Sequence, residues 1–358
     1  MRKPYSILDD LKRMERRDAH GMIELLCEFP NQCESAWTLG ESFLISRRRP
    51  FQKVVFLGMG GSAIGGDLVR SLLEEEISCP ILVNRAYHLP ALVDSNTLVF
   101  AVSYSGNTEE TLSAYEIARK RKAQIIAISS GGKLQEWALR DRIPHLLIPS
   151  GLPPRTAIGY LFFIPYVLIR RLLHLPLDKK GFEEMLKVLR HMRKESIGPH
   201  IPSSKNPAKQ LAGRVTGRIP VIHGSAQRME AVVTRFRTQI SENAKQLVWS
   251  HVYPELDHNE IVGWHEPHRL LKDLLIVLLR DGEDHPRVQK RMAITKRLIQ
   301  QEENVEIREV WSSGRGILAR TFSLIYLGDF LSFYLAILNR VDPTPVERIE
   351  RLKKALLK

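Results

Sequence analysis

The fold is decided by residues 53–67, which read Lys53-Val54-Val55-Phe56-Leu57-Gly58-Met59-Gly60-Gly61-Ser62-Ala63-Ile64-Gly65-Gly66-Asp67. The first five residues are typical of a buried strand, and the glycines after them are typical of a strand that turns directly into a helix. At such a turn the free N–H groups and the positive end of the helix dipole favour an anion. The stretch therefore predicts an α/β fold with a phosphate or carboxylate bound at this loop.

Short apolar runs alternate with helical patterns along the rest of the chain. Four more strand candidates follow the first, at 80–83, 97–102, 124–129 and 143–148. After a Pro/Ser-rich stretch at 198–204 the alternation resumes, with strands expected at 218–224, 246–250, 274–279 and 305–310 and helices at 228–240, 286–301 and 317–338. Each half begins with a buried strand that ends in Gly-Ser, at Ser62 and at Ser225. The pattern predicts two similar α/β sandwiches produced by an internal duplication.

These patterns divide the chain into four segments. Residues 1–50 carry apolar side chains at helical spacing and are expected to form a helical lead-in. Residues 51–175 are expected to form the first three-layer αβα sandwich, with a mainly parallel sheet and the phosphate-binding loops. A connecting helix and linker are expected at 176–208, and a second sandwich that ends in a C-terminal helix at 209–358.

Composition excludes several classes of partner. The chain has 358 residues, of which 53 are Lys or Arg and 40 are Asp or Glu, so its formal net charge is +13. The basic residues are spread along helical stretches without interleaved aromatic residues, which favours a solvated surface over a nucleic-acid site. The longest apolar run, at 157–169, is shorter than the roughly 20 residues that span a bilayer. Neither a nucleic-acid partner nor a membrane is expected.

Cysteine usage and the start of the sequence point to the cytoplasm. Cys27, Cys33 and Cys79 are too few and too irregularly spaced for a disulfide framework or a zinc site. The first residues lead into a charged amphipathic stretch and not into an apolar signal core. We therefore expect a cytoplasmic protein without a structural metal.

The third strand ends in a second loop rich in hydroxyl groups, Ser103-Tyr104-Ser105-Gly106-Asn107-Thr108. Thr108 is suited to cap the helix that follows, but a cap needs only one hydroxyl. A phosphate accepts several donors, and each charge-assisted bond contributes about 1.5–3 kcal/mol. The phosphate-binding candidates are therefore Gly60, Gly61, Ser62, Ser103, Ser105 and Thr108.

The glycine loop on its own also fits a dinucleotide site. Gly58, Gly60 and Ala63 satisfy the dinucleotide-binding fingerprint. The second strand ends in Asn84-Arg85 and supplies no acidic residue for a ribose, although an arginine suits a 2′-phosphate. An NADP-dependent dehydrogenase is therefore an alternative interpretation of this loop.

The glycine loop, the Ser103–Thr108 string and the duplicated pattern together resemble the sugar isomerase (SIS) family, whose members bind phosphosugars. Three further motifs, at 154–160, 242–245 and 254–261, are similar to the bifunctional phosphoglucose/phosphomannose isomerases of archaea and bacteria. The resemblance covers residues 50–358. It implies a hexose 6-phosphate substrate and an aldose–ketose isomerisation that uses no metal or redox cofactor.

The resemblance also assigns roles to four residues. Glu242 matches the catalytic carboxylate that moves a proton between C1 and C2. His258 matches the histidine of ring opening, and Arg155 is placed to stabilise the enediolate charge. Lys353, on the terminal helix, falls on the lysine that assists ring opening. In this family the histidine enters the neighbouring subunit's site, so the resemblance implies a homodimer.

One position departs from the family, and two other functions stay open. Val346, with Thr344 two residues earlier, stands where some relatives carry a threonine; because valine is close to threonine in volume, we expect both C2 epimers to react. A non-catalytic sugar-phosphate sensor is one alternative, although residues 1–50 show no convincing helix-turn-helix. An isomerase of another phosphosugar is the second, and it would lack Glu242 and His258 in their present contexts.

Overall fold

The computed structural model describes residues 6–45, 49–303 and 305–356. The chain forms two compact units. The first unit is residues 28–179, and the second combines the chain before residue 28 with residues 180–358. The first 50 residues therefore contribute to both units.

Each unit contains one parallel sheet. The first sheet has the order β2-β1-β3-β4-β5, with β1 (Lys53–Leu57), β2 (Ile81–Asn84), β3 (Thr97–Val102), β4 (Gln124–Ser129) and β5 (His145–Leu147). The second has the order β7-β6-β8-β9, with β6 (Ile219–Ser225), β7 (Trp249–Tyr253), β8 (Leu274–Arg280) and β9 (Glu306–Trp311). The first four strands of both sheets follow the same order, as two copies of one domain would. The predicted pair of parallel α/β domains is confirmed.

Helices connect the strands and cover the sheets. They are α1 (Leu11–Glu15), α2 (Met22–Cys27), α3 (Phe29–Ser42), α4 (Gly60–Leu73), α5 (Glu109–Lys120), α6 (Gly132–Arg140), α7 (Ile158–Leu172), α8 (Lys179–Met192), α9 (Pro207–Val215), α10 (Glu230–Ala244), α11 (Glu260–Gly263), α12 (His268–Leu271), α13 (Pro286–Glu303), α14 (Ile317–Leu338) and α15 (Glu347–Leu356). The helical N-terminus and the C-terminal helix match the predicted arrangement.

Side chains of the first sheet alternate between its two faces, as the strand period requires. Val55 and Val99 join a buried cluster with side chains of α5 and α6. Phe56 and Phe100 point to the other face, where their rings stack at 5.1 Å. On that face Gly66 of α4 lies against Phe56, so closely that a Cβ atom would come 2.7 Å from the ring. Helices therefore cover both faces and form the predicted three-layer sandwich.

The second sheet is covered in the same way. Ile276 and Leu278 of β8 pack in a buried cluster with Met292 of α13. On the other face Gly224 of β6 lies against Val233 of α10, where a Cβ atom would come 2.5 Å from the valine. α14 packs in turn on α10. Glu242, the predicted catalytic carboxylate, lies near the C-terminal end of α10.

One described helix, α14, is long and apolar enough to cross a membrane, with a mean hydropathy of 1.6 over its most apolar window. Of that window 89% is buried inside the protein, as in the core helix of a globular domain. The most extended apolar helix is therefore α14 and not the helix that contains the run at 157–169. Arg320 and Asp329 interrupt α14 in the sequence and conceal its apolar character.

The predicted strand at 246–250 is wrong by three residues, because β7 runs from Trp249 to Tyr253. Lys245 adopts a left-handed conformation, φ +53°, directly after α10. The chain therefore needs a connection before it can join the sheet, and pairing with β6 starts only at Val221 and Trp249. The helix predicted from residue 228 likewise starts later, since a single 3-10 turn, Gln227–Met229, separates Ser225 from α10.

Candidate active site

The two predicted phosphate loops leave the first sheet side by side. β1 pairs with β2 on one side and with β3 on the other, and Leu57 and Ala101 are partners in register. The chain therefore changes direction across the sheet between β1 and β3. Open α/β sheets bind ligands at this topological switch point, outside the carboxyl ends of the strands. The sheet order thus brings the glycine loop and the Ser103–Thr108 loop to the edge where a ligand is expected.

A hydrogen bond connects the two loops. Ser62 is buried, and its Oγ accepts a hydrogen bond from the backbone N–H of Tyr104 at 3.3 Å. Gly60 has φ +50° at the first residue of α4, a conformation that favours glycine. No described side chain caps the start of α4. The first N–H groups of this helix therefore stay available to an anion.

The hydroxyl groups of the second loop are arranged differently from the prediction. Thr108 precedes α5, but its side chain makes no capping bond to described residues. Its Oγ1 lies 2.9 Å from Oγ of the buried Ser103 instead, so these two hydroxyls converge. Ser105 is exposed, and its Oγ accepts a hydrogen bond from the N–H of Asn107 at 3.3 Å. The structure therefore pairs Ser103 with Thr108 and holds Ser105 at the outer side of the loop.

Arg155 lies beside the glycine loop. It is in the 3-10 turn Pro154–Thr156 before α7, and only 4% of its surface is exposed. A Cβ atom on Gly61 would come 2.9 Å from the carbonyl oxygen of Pro154, so glycine is needed for this close approach. Gln32 of α3 holds the turn from the other side, donating to the Thr156 carbonyl at 2.9 Å. Arg155 is thus a buried guanidinium near the phosphate loops and not a surface side chain.

Tyr104 joins the serine loop to the chain that leads to Arg155. Its hydroxyl donates to the Pro149 carbonyl at 3.0 Å and accepts from the Leu152 N–H at 2.7 Å. Burial raises the pKa of this phenol, so it stays protonated and able to donate. The sequence did not single out Tyr104, because an aromatic residue between two serines carries no signal of a bond to residues almost 50 positions away.

The structure argues against the dinucleotide interpretation of the glycine loop. Arg85, the arginine considered for a 2′-phosphate, forms an ion pair with Asp67 of α4 instead. The order β2-β1-β3 also places the switch point between β1 and β3, whereas the usual dinucleotide-binding order places it between the first and fourth strands. The loop therefore fits a phosphate better than a dinucleotide.

In the second unit, Glu242 is half-buried in the last turn of α10. Buried hydrogen bonds one helical turn apart fix α10 to α14: Arg235 Nη2 to Asp329 Oδ2 at 2.8 Å, Gln239 Nε2 to Asp329 Oδ1 at 2.8 Å and Asn243 Nδ2 to Ser332 Oγ at 2.9 Å. These bonds set the rotation of α10 about its axis. They therefore hold the end of the helix, and with it Glu242, in one position.

His258 and Lys353 are both exposed. His258 ends the 3-10 turn Glu255–His258, and no described residue hydrogen-bonds its imidazole. Lys353 lies on α15, a helix none of whose described residues is buried. No hydrogen bond or ion pair joins either side chain to Glu242 among the described residues. The structure of one chain thus leaves both side chains open to solvent.

The described residues contain no group of three or more His, Cys, Asp or Glu placed to hold a metal ion. Cys27, Cys33 and Cys79 form no disulfide bond.

Two family models match the sequence. "SIS domain" matches residues 49–137, and "Bacterial phospho-glucose isomerase C-terminal SIS domain" matches residues 204–356. A "Bifunctional phosphoglucose/phosphomannose isomerase" of Caldicellulosiruptor bescii is 46% identical over 338 residues, which cover 94% of this chain and 98% of that protein. A protein of the same name from Aquifex aeolicus is 37% identical over 310 residues, 86% of this chain and 92% of that protein.

A solved structure agrees with the fold. A hypothetical protein from Thermus thermophilus superposes with a TM-score of 0.72 and 15% identity, over 98% of this chain and 94% of that one. At this identity the likeness concerns the fold alone. The sequence matches extend over both units, and the chain therefore belongs to the family of bifunctional phosphoglucose/phosphomannose isomerases with the SIS fold.

Proposed function

We propose that the protein interconverts fructose 6-phosphate with glucose 6-phosphate and mannose 6-phosphate. The observation that carries this proposal is the 46% identity over 94% of the chain to a protein named for both isomerase activities. The switch-point loops of the first unit support it, because they offer N–H and hydroxyl donors suited to a phosphate. The half-buried carboxylate at the fixed end of α10 supports it as well.

The substrate phosphate is bound by the two loops of the first unit. The N–H groups of Gly60 and Gly61 at the start of α4 meet the phosphate oxygens, and the positive helix terminus adds to the attraction. Hydroxyl donors complete the site: Ser62, Ser103, Ser105 and Thr108. Such a site holds a dianion without a lysine, since each charge-assisted bond contributes about 1.5–3 kcal/mol.

The reaction is a proton transfer between C1 and C2 of the open-chain sugar. His258 and Lys353 assist ring opening by moving a proton between the ring oxygen and the anomeric hydroxyl. Glu242 removes the proton from C1 of fructose 6-phosphate, and the Arg155 guanidinium stabilises the enediolate that results. Return of the proton to C2 from one face or the other gives glucose 6-phosphate or mannose 6-phosphate.

A homodimer with a shared site is part of the proposal. The exposed His258 supports it, as do the exposed apolar side chains of the same segment, Val262 at 79% and Leu270 at 46% exposure. Mixing Glu242→Gln with His258→Ala subunits tests the sharing. If each site takes His258 from the neighbour, random exchange restores about a quarter of the wild-type activity, because half of the dimers are hybrids with one intact site. No recovery after proven exchange would place both residues of a site on one chain.

Use of both epimers is tested at the same time as catalysis. Val346 is half-buried just before α15, and its side chain is close to that of threonine in volume. We expect mannose 6-phosphate to yield fructose 6-phosphate under conditions where glucose 6-phosphate does. If it does not, the enzyme is a glucose 6-phosphate isomerase alone.

The buried α14 supports a soluble enzyme, and we place it in the cytoplasm, where its three cysteines stay reduced.

The experiment is an incubation of the protein with fructose 6-phosphate in the absence of metal and nucleotide. Glucose 6-phosphate and mannose 6-phosphate are measured separately, and both are expected. A protein that gives neither product, yet is stabilised against heat by fructose 6-phosphate, would instead be a sugar-phosphate sensor or an isomerase of a different phosphosugar.

A further inference from the structure

In the segment at 254–272, which carries His258, the carboxylate of Glu260 is the centre of a group of hydrogen bonds to the second sheet. Glu260 Oε1 lies 2.7 Å from Nε2 of His223, and Oε2 lies 3.0 Å from Nδ1 of His251. Trp264 Nε1 donates to Oε1 at 3.0 Å. An ionised carboxylate only accepts hydrogen bonds, so all three nitrogen atoms donate to it. We refer to Glu260, His223, His251 and Trp264 as the Glu260 clamp.

The two histidines of the clamp come from adjacent strands of the second sheet, the central strand β6 and the edge strand β7. His223 on β6 and His251 on β7 are partners in register, so their side chains project from adjacent strands toward the same carboxylate. His223 is only 1% exposed and packs edge-on against the rings of Tyr253 and Trp264, at 6.0 and 6.1 Å. A donor that is buried on a central strand cannot move away without disrupting the sheet. His223 therefore fixes the position of the Glu260 carboxylate.

The balance of forces favours the ionised form of Glu260. Burial opposes its charge, but the hydrogen bonds from His223, Trp264 and His251 outweigh burial, and the pKa of the carboxyl lies below its ordinary value. The clamp is thus formed throughout the neutral pH range.

His258 lies between two anchored carboxylates. On its N-terminal side, Asp257 accepts a hydrogen bond from Thr295 Oγ1 at 2.8 Å and lies 3.3 Å from Arg291, both on α13. On its C-terminal side, Glu260 is held by the clamp. The His258 side chain itself is exposed and has no described hydrogen-bond partner. The backbone around His258 is therefore fixed from both sides while the imidazole stays free to react.

We propose that Glu260 is a positioning residue, whose carboxylate fixes the segment that presents His258 to the sugar for ring opening. This inference rests on the proposed function, in which His258 moves the ring-opening proton. Glu260 acts through His258 and does not itself meet the substrate. Removing the clamp should therefore slow the reaction without weakening the phosphate site, which is formed by residues of the first unit.

The kinetic test compares Glu260→Ala with Glu260→Gln. We expect Glu260→Ala to lower kcat for fructose 6-phosphate about 10- to 100-fold, as the loss of an orienting partner commonly does, with KM within about twofold of wild type. Glu260→Gln should restore most of kcat. Its oxygen replaces Oε1, and its amide donates to His251, which is partly exposed and free to change tautomer.

A matched control separates positioning from stability. Glu184 in the same unit accepts hydrogen bonds from the N–H groups of Arg315 and Gly316, and no hydrogen bond or ion pair joins it to the described segment at 254–272. Glu184→Ala should lower the unfolding temperature but leave kcat unchanged. If Glu260→Ala does not fold, His251→Ala removes one partly exposed donor of the clamp and should still lower kcat several-fold.

A double-mutant cycle with His258→Ala decides whether Glu260 acts through His258. If it does, adding Glu260→Ala to His258→Ala costs no further activity. An equal loss of kcat in both backgrounds would overturn the proposal, because Glu260 would then act independently of His258.

Hydrogen exchange tests the clamp even if the proposed function is wrong. Backbone amides of residues 255–263 should exchange faster in Glu260→Ala than in wild type, Glu260→Gln or Glu184→Ala. A wild-type protein without isomerase activity would refute the proposed function, and the exchange data would still report on the clamp. Unchanged exchange in Glu260→Ala would refute the positioning role itself.

Discussion

Replacing Tyr104 by phenylalanine removes one hydroxyl and two hydrogen bonds, to the Pro149 carbonyl and from the Leu152 N–H. Each bond contributes a net stabilisation of about 0.5–1.5 kcal/mol, and Pro149 is exposed, so water replaces part of the loss. The free energy of unfolding should therefore fall by about 1–2 kcal/mol, which corresponds to a few degrees in unfolding temperature.

The same substitution should slow catalysis more than it weakens binding. The segment from Pro149 to Leu152 leads directly to the turn that holds Arg155, and without its anchor the guanidinium loses its fixed position. We expect kcat for fructose 6-phosphate to fall about tenfold, equivalent to roughly 1.4 kcal/mol of transition-state stabilisation. KM should change little, because the bond from the Tyr104 N–H to Ser62 involves the backbone and is retained.

Steady-state kinetics and urea unfolding of the purified variant measure both effects. Tyr87→Phe is the matched control, since the Tyr87 hydroxyl makes a single exposed bond to Glu109 in the same unit. That variant should keep wild-type kcat. A Tyr104→Phe protein with the expected loss of stability but wild-type kcat would refute the link between Tyr104 and the position of Arg155.

Three other predictions concern the loops, pH and metals. Gly106→Ala should prevent stable folding or lower the free energy of unfolding by more than about 3 kcal/mol, because φ is +70° and a Cβ atom would come 1.8 Å from the Gly131 carbonyl oxygen. A variant as stable as wild type in urea would contradict this loop structure. Hydrogen bonds from the Arg315 and Gly316 N–H groups hold the pKa of Glu184 below its ordinary value of 4.5, so its stabilising effect is complete at neutral pH and is lost as pH falls through the folded-state pKa. The difference in unfolding temperature between wild type and Glu184→Gln should therefore shrink as pH falls from neutrality through that pKa, whereas a constant difference would contradict the assignment. Dialysis against a chelator should leave turnover unchanged, because a guanidinium is proposed to stabilise the enediolate; activity that is lost and then restored by a divalent metal would contradict that role.

Much of the fold could be predicted because its signals are local. A buried strand followed by glycines identifies β1 and α4, and the hydroxyl-rich string after β3 identifies the second phosphate loop. The repeat of this pattern predicts the second domain. The predicted element boundaries were wrong where the backbone conformation of a single residue determined them. At Lys245, for example, the left-handed φ delays the start of strand β7.

Contacts between distant residues could not be predicted in the same way. The bond from Gln32 to the Thr156 carbonyl joins residues 124 positions apart, and the one from His223 to Glu260 joins residues 37 apart. No periodicity in a single sequence connects such pairs. The roles of His258 and Lys353 stay predictions for a related reason, because both side chains are exposed and no described residue forms a hydrogen bond or ion pair with either of them.

Glu242 is proposed as the base that carries the proton between C1 and C2, and Glu242→Gln is the variant that tests this role. The variant keeps the shape and the hydrogen-bonding capacity of the side chain but removes its basicity. Turnover of fructose 6-phosphate should fall by about 100-fold or more, the lower end of what a general base contributes, while fructose 6-phosphate still raises the unfolding temperature of the variant as it does that of wild type. A folded Glu242→Gln protein that binds fructose 6-phosphate and turns it over at nearly the wild-type rate would contradict the mechanism.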